Sequence, residues 1–278
     1  MLRSKDVYYI LEPVPEPEDA ILIGGQALNV WAEYYAEKDP SLNTHSPFFS
    51  HDIDFLGGRT TAEQIHDAWK GKITRPSEAS STPLIAKLEF RLKDGRRVIM
   101  DFLDETAGFK NDSVIKDARA TQNPHTQKTL KVLHPVHCMA SRIVNTYGTL
   151  DRRSRQYSVH EIRRTQLSIK VLNHYISDLF RTPEALHEEA YRLIDYTAGF
   201  AIEDPAKRAY HMDKVDVLHA IPTDLHLGIS EVFLNEHYPR IKDEVAHVRE
   251  QYERGRQGND RNKDPEPGSR TYDTKPGD

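Results

Sequence analysis

The apolar run Ala20-Ile21-Leu22-Ile23 stops at Gly24-Gly25, after which Ala27, Leu28, Trp31, Tyr34 and Tyr35 recur at helical spacing. That order predicts a strand, a tight turn and a helix, and it commits this part of the chain to a sheet with helices laid over it. A polar connection follows, with Pro40 and Pro47 and with residues 36–49 reading as an inserted loop. It leads to Asp52-Ile53-Asp54-Phe55-Leu56, where acidic and apolar residues alternate at the strand period, so both carboxylates are expected on one face. Thr60 or Thr61 is the expected cap of a helix carrying Ala62, Ile65, Ala68 and Trp69, with Glu63 or Gln64 completing a capping box. Residues 84–92 and 96–103 are β-prone runs around Lys93-Asp94-Gly95. Asp-Gly between such runs predicts a hairpin, with Asp101 on its second arm.

From about residue 130 the periodicity becomes helical. Pro135 is the expected start of a helix bearing Val136, Met139, Ile143 and Val144. Ile162, Leu167, Ile169, Leu172 and Ile176 predict a second helix, and further helices are expected over 183–198, 215–220 and 229–248. The polar stretch 119–124 suggests a boundary, giving an α+β domain over 1–126 with a mixed sheet, a helical domain over 127–253, and a disordered tail over 254–278. The tail is charged and rich in Gly and Pro, with Tyr272 as its one large apolar group, too little to offset the entropy of ordering.

Charge and composition narrow the function. With 38 basic and 43 acidic residues the net charge is −5, which argues against bulk nonspecific binding to nucleic acid. One cysteine, Cys138, removes disulfide and multi-thiolate zinc frameworks and agrees with a reducing compartment. No run reaches the roughly 18 apolar residues that span a bilayer, and residues 7–11 are too short for a signal-peptide core, so a cytoplasmic protein without membrane partners is expected.

Three features converge on one chemistry: a Gly-Gly turn opening a helix, the Asp52/Asp54 pair, and Asp101 on a later strand. Clustered carboxylates suit Mg²⁺ or Mn²⁺, hard cations that take oxygen ligands. Paired ions of that kind activate an attacking hydroxyl and stabilise leaving pyrophosphate in an in-line displacement. Glycines at a helix start let backbone amides approach phosphate. In the helical half Arg142, Arg152, Arg153, Arg155, Arg163, Arg164 and Lys170 stand against only Asp151 and Glu161, a candidate phosphate or RNA-backbone face that reads equally as solvated helix surface.

These residues resemble the nucleotidyltransferase superfamily that includes DNA polymerase β. The segments Ile23-Gly24-Gly25-Gln26-Ala27-Leu28-Asn29 and Ser50-His51-Asp52-Ile53-Asp54-Phe55 look most like the AbiEii branch, whose members include toxins of type IV toxin–antitoxin and abortive-infection systems. The resemblance covers roughly 21–103. It implies Gly24, Gly25 and Gln26 at the nucleotide, Asp52, Asp54 and Asp101 on metal, and Asp101 also as base toward an acceptor hydroxyl. Arg142 stands where relatives carry a lysine. An NTP substrate, an RNA (tRNA) or protein acceptor, toxin-like action and an antitoxin partner are further implications.

Other readings stay open beside this one. A degenerate nucleotide-binding module, small-molecule (antibiotic) adenylylation, and Asp-x-Asp glycosyl transfer all use some of the same residues. Asp104 rivals Asp101 as third ligand, although its odd offset puts it on the opposite face of a continuing strand. His51 reads as either a hydrogen-bond donor to the carboxylates or a strand-edge residue. His134, His137 and Cys138 lack a second ligand pair for zinc and read as polar residues at a helix start.

Overall fold

In the computed structural model, residues 1–261 are described apart from 16, 18, 78–81, 107–110, 124–126, 149–158 and 183–185. The apolar run becomes β1 (Ala20–Ile23), buried along its whole length, as a central strand with both faces covered requires. It lies inside a seven-stranded mixed sheet of order β3-β4-β5-β2-β1-β7-β6. Here β2 is Ile53–Gly57, β3 Lys72–Thr74, β4 Leu84–Arg91, β5 Arg97–Leu103, β6 Arg119–Gln122 and β7 Thr129–Val132. β1 runs antiparallel to β2 and parallel to β7, and β2 runs parallel to β5. The fold is the expected mixed α/β arrangement.

The Asp-Gly hairpin forms as the sequence predicts. Leu92 N donates to Arg96 O at 2.9 Å and Gly95 N to Leu92 O at 2.9 Å, joining β4 to β5 in antiparallel register. Phe55 of β2 stacks on Phe102 of β5, both fully buried, with ring centroids 5.2 Å apart. Two apolar clusters hold the molecule. One joins the sheet, α1 (Ser4–Leu11), α2 (Gly24–Ala36), α3 (Arg59–Trp69) and α4 (Asn111–Asp117). The other joins α5 (Pro135–Tyr147), α6 (Val159–Arg181), α7 (His187–Ala201), α8 (Asp204–Asp213) and α9 (Tyr238–Arg261). α6 serves both, with Leu167 and Val171 in the first cluster and Leu172 and Ile176 in the second.

Several expectations are revised. The sheet continues past residue 126: β7 pairs with β1 and Leu133 N donates to Leu22 O at 2.8 Å, so residues 129–133 belong with the sheet. The polar stretch at 119–122 is an edge strand rather than a connection, its side chains alternating between half-buried and exposed. Neither Thr60 nor Thr61 caps α3. Gly58 holds that position, and Asp19, from outside the segment, accepts from Thr60 N at 2.9 Å and Thr61 Oγ1 at 2.5 Å. The expected loop over 36–49 contains a short 3₁₀ helix at Pro40–His45, entered through Asp39, which accepts from Ser41 N at 2.9 Å. Instead of a helix over 215–220 there is a 3₁₀ turn at Val217–Ala220 capped by Asp216. α9 reaches Arg261, past the helix end expected at 248 and into the tail expected over 254–278, whose residues 262–278 lie outside the described residues. No helix among the described residues is long and apolar enough to cross a membrane.

Candidate active site

Strand register assembles the site. Ile23, the last residue of β1, pairs with Asp54 in β2, and Asp54 pairs across the parallel neighbour with Asp101 in β5. The chain then turns at Gly24 into α2, so the first turn of a helix sits directly over Asp54. Gly24 has φ +64°, and a Cβ built on it would lie 2.4 Å from Asp54 Oδ2. No side chain fits there, for backbone and for packing reasons alike. At Gly25 a Cβ would lie 2.7 Å from Ser50 Oγ, and Ser50 in turn donates to Asp52 Oδ1 at 3.1 Å. The glycine pair thus lets the backbone close onto the acidic strand.

The electrostatics follow from this crowding. Burial, then the neighbouring charges of Asp52 and Asp101, push the Asp54 carboxyl up to about 7, against a weaker opposing pull from Arg142. Asp101 is also raised, first by burial, with Asp52 and Glu89 adding to it and Lys87 opposing. Lys87 faces Asp101 across the hairpin, its Nζ 3.8 Å from Asp101 Oδ1, while that buried oxygen has no hydrogen-bond partner. Asp104 lies past the end of β5 and is exposed. His51 is exposed. Among the described residues no three His, Cys, Asp or Glu side chains stand as a ready-made metal shell.

The helical half reaches the same turn through Arg164. The residue is 6% exposed, and its guanidinium donates to Gly25 O at 2.8 Å, Asn29 Oδ1 at 3.0 Å and Phe49 O at 3.2 Å. With neutral acceptors for partners, burial pulls Arg164 down to about 10, Arg142 adding to the effect. Arg142, on α5, pairs with Glu161 Oε2 at 2.7 Å. Gln26 is not brought to the nucleotide position: it is fully buried, donating to Leu2 O at 2.9 Å and accepting from Asn29 Nδ2 at 3.0 Å. Gln26 thereby holds Leu2, whose backbone exchanges hydrogen bonds with Ser50 at 2.8 and 2.9 Å. Arg152, Arg153 and Arg155 of the sequence's basic cluster lie outside the described residues.

Sequence reasoning missed Ser50 and Lys87. Lys87 was findable, because a hairpin closing between Leu92 and Arg96 puts residues 87 and 101 opposite each other. Ser50 had no local signal, since its role depends on Leu2 and Gly25 arriving from elsewhere. His134 and His137 are structural, as expected. The first caps α5 by accepting from Val136 N at 3.1 Å, and the second meets Asp117 Oδ2 at 3.0 Å.

No family model and no curated protein sequence matches the chain. Among solved structures it is similar to an antigenic nucleotidyltransferase-like protein from Paracoccidioides brasiliensis, at 16% sequence identity and a TM-score of 0.33, over 68% of this chain and 84% of that one. A likeness of that size carries no argument about fold or activity, so the functional reading rests on the residues of the site.

Proposed function

We propose that the chain is a nucleotidyltransferase that moves a nucleoside monophosphate from an NTP to an acceptor hydroxyl, with Asp52, Asp54 and Asp101 holding Mg²⁺ or Mn²⁺. The observation that carries this reading is the Gly24 backbone closed over Asp54 while Asp54 and Asp101 stand side by side in parallel strands. The donor set fits a hard divalent cation in two respects: its ligands are all carboxylate oxygens, and Asp101 Oδ1 is buried without a hydrogen-bond partner, Lys87 Nζ standing 3.8 Å away. A bound cation of this kind supplies Lewis-acid polarisation of the triphosphate and neutralises the charge that develops on departing pyrophosphate.

The protein's own groups do the rest. Amides of the α2 N-terminus offer donors to phosphate oxygens, and the absence of side chains at Gly24 and Gly25 gives phosphate access to them. Asp101 accepts the proton of the acceptor hydroxyl. Ser50 orients Asp52, and Arg164 fixes the carbonyl side of the turn, so the amides on its other side are held in place. Arg142, shared with Glu161, turns toward phosphate as the cation available beside Asp54. On the AbiEii-like resemblance of residues 23–29 and 50–55, the acceptor is RNA or protein, the effect is toxin-like and an antitoxin is the partner.

A second reading, a nucleotide-binding module without turnover, draws on one observation: no three carboxylates are preassembled as a metal shell among the described residues. Incubation of the full chain with each α-labelled NTP, Mg²⁺ and either total RNA or cell extract separates the two. The proposal expects label in an acceptor, lost in a folded Asp52→Asn/Asp54→Asn variant. Nucleotide binding without label from any NTP overturns it in favour of the module.

A further inference from the structure

A cavity of about 640 Å³ opens beside the C-terminal half of α2, the opposite end of that helix from Gly24, with walls from α1, β6 and α6. That is the size of an ordinary small-molecule site. Its lining among the described residues carries three carboxylates (Glu33, Glu37 and Asp178), four tyrosines and Trp31, and no lysine, arginine or histidine. Aromatic faces with carboxylates and no cations attract positive charge, because ring quadrupole and carboxylate act in the same sense.

The molecule supplies its own demonstration at the rim. Lys38 Nζ sits 4.4 Å from the centroid of the Tyr34 ring and 5.4 Å from that of Tyr35, and 2.6 Å from Asp178 Oδ2. Asp178 is therefore satisfied, and Arg181 meets its other oxygen at 3.2 Å. Glu33 is different. It is half-buried, accepts from the Ser4 hydroxyl, and has no ion-pair partner among the described residues. Burial holds its carboxyl above the usual range, and Ser4, Arg3 and Lys5 offset this only in part. A carboxylate left this way in an aromatic cavity lacks the cation that its surroundings favour.

We propose that this cavity binds a small organic ammonium ion, with its charge toward Glu33 and its alkyl groups against the tyrosine and tryptophan rings. The site is separate from the carboxylates at Gly24, and binding there requires neither metal nor nucleotide. Lys38 already satisfies the rim, so a ligand with one ammonium group uses Glu33, whereas one with two competes with Lys38 for Asp178.

Isothermal titration of the full chain with choline, with 1,4-diaminobutane and with the uncharged choline isostere 3,3-dimethylbutan-1-ol tests this. The expected result is binding of at least one cation, with the neutral isostere roughly tenfold weaker or worse. Glu33→Gln, which keeps the shape and removes the charge, is expected to lower cation affinity by about tenfold. Lys38→Met is expected to tighten 1,4-diaminobutane severalfold by vacating Asp178. Should Glu33→Gln lose its native circular dichroism, Tyr34→Ala, at an exposed position, replaces it with an expected severalfold loss. Equal affinity for the neutral isostere, unchanged cation affinity in a folded variant, or no cation binding up to about 10 mM overturns the proposal.

Discussion

The two ends of α2 treat negative charge in opposite ways. Past its C-terminus, Asp178 is met by Lys38 at 2.6 Å and by Arg181 at 3.2 Å, an ion cluster complete within the chain. At its N-terminus Asp54 faces two more carboxylates, and the nearest basic groups serve other residues: Lys87 is 3.8 Å from Asp101, and Arg142 is paired with Glu161. The first arrangement, the Asp178 cluster, unlike Glu33 in the neighbouring cavity, needs no further cation. The second is charge held against its own repulsion by the register of β1, β2 and β5, and such charge is stable only with a proton or a cation. Such crowding, where backbone has been cleared of side chains, is the reason for proposing a site here.

The largest expected effect separates these two ends by activity. Asp54→Asn should reduce nucleotidyl transfer by at least about a hundredfold, read by labelled-NTP incorporation. The same variant also sets the two ends apart in stability. Asp54's folded pKa, about 7, lies above its unfolded value near 3.8, so the native state binds more protons than the unfolded state between those values. Its cost is therefore absent below about pH 4, grows as pH rises, and levels off above about pH 7. With divalent ions chelated, urea unfolding across this range should show wild-type stability falling relative to Asp54→Asn by on the order of a few kcal/mol. Parallel curves would remove the claim of repulsion at this end of the helix.

Gly24→Ala comes next. A methyl group at φ +64° and 2.4 Å from Asp54 Oδ2 must displace either the turn or the carboxylate. A loss of about 1–3 kcal/mol in urea unfolding is expected. Smallest is Lys38→Met at the satisfied end. Lys38 and Asp178 are 44% and 26% exposed in their side chains, and exposed pairs contribute about 0–1 kcal/mol, so its unfolding midpoint should barely move. A larger loss there than at Gly24 would invert the comparison.

The parts of this arrangement legible in the sequence were those set by local periodicity. Asp-Gly located the hairpin and put Asp101 on its second arm, and two glycines after an apolar run marked the strand-to-helix turn, whereas β2 begins only at Ile53 and leaves Asp52 in the bend before it, not on the strand that alternation predicts. Long-range pairing was not legible. Nothing in residues 53–57 states that they lie parallel to 97–103, yet that pairing brings Asp54 beside Asp101. Gln26 shows the same limit from the other direction: beside the glycines it looks like a nucleotide ligand, but Leu2 arrives from the chain terminus and engages its amide. Glu33 carries no signal in the sequence and gains its place only where α1, β6 and α6 enclose it. Arg164, one of several arginines in its helix, becomes distinctive only because α2 and Phe49 bury it.

On the proposed function, the Asp52, Asp54 and Asp101 carboxylates at the start of α2 are a cation site. Titration of Mn²⁺ followed by electron paramagnetic resonance, at pH 8 where Asp54 is ionised, tests it most directly. Wild-type protein should take up Mn²⁺ with an affinity that declines as pH falls through 7, and a folded Asp54→Asn variant should lose that binding. Equal Mn²⁺ binding in the two proteins, or none in either with and without NTP, would contradict a cation site at these carboxylates.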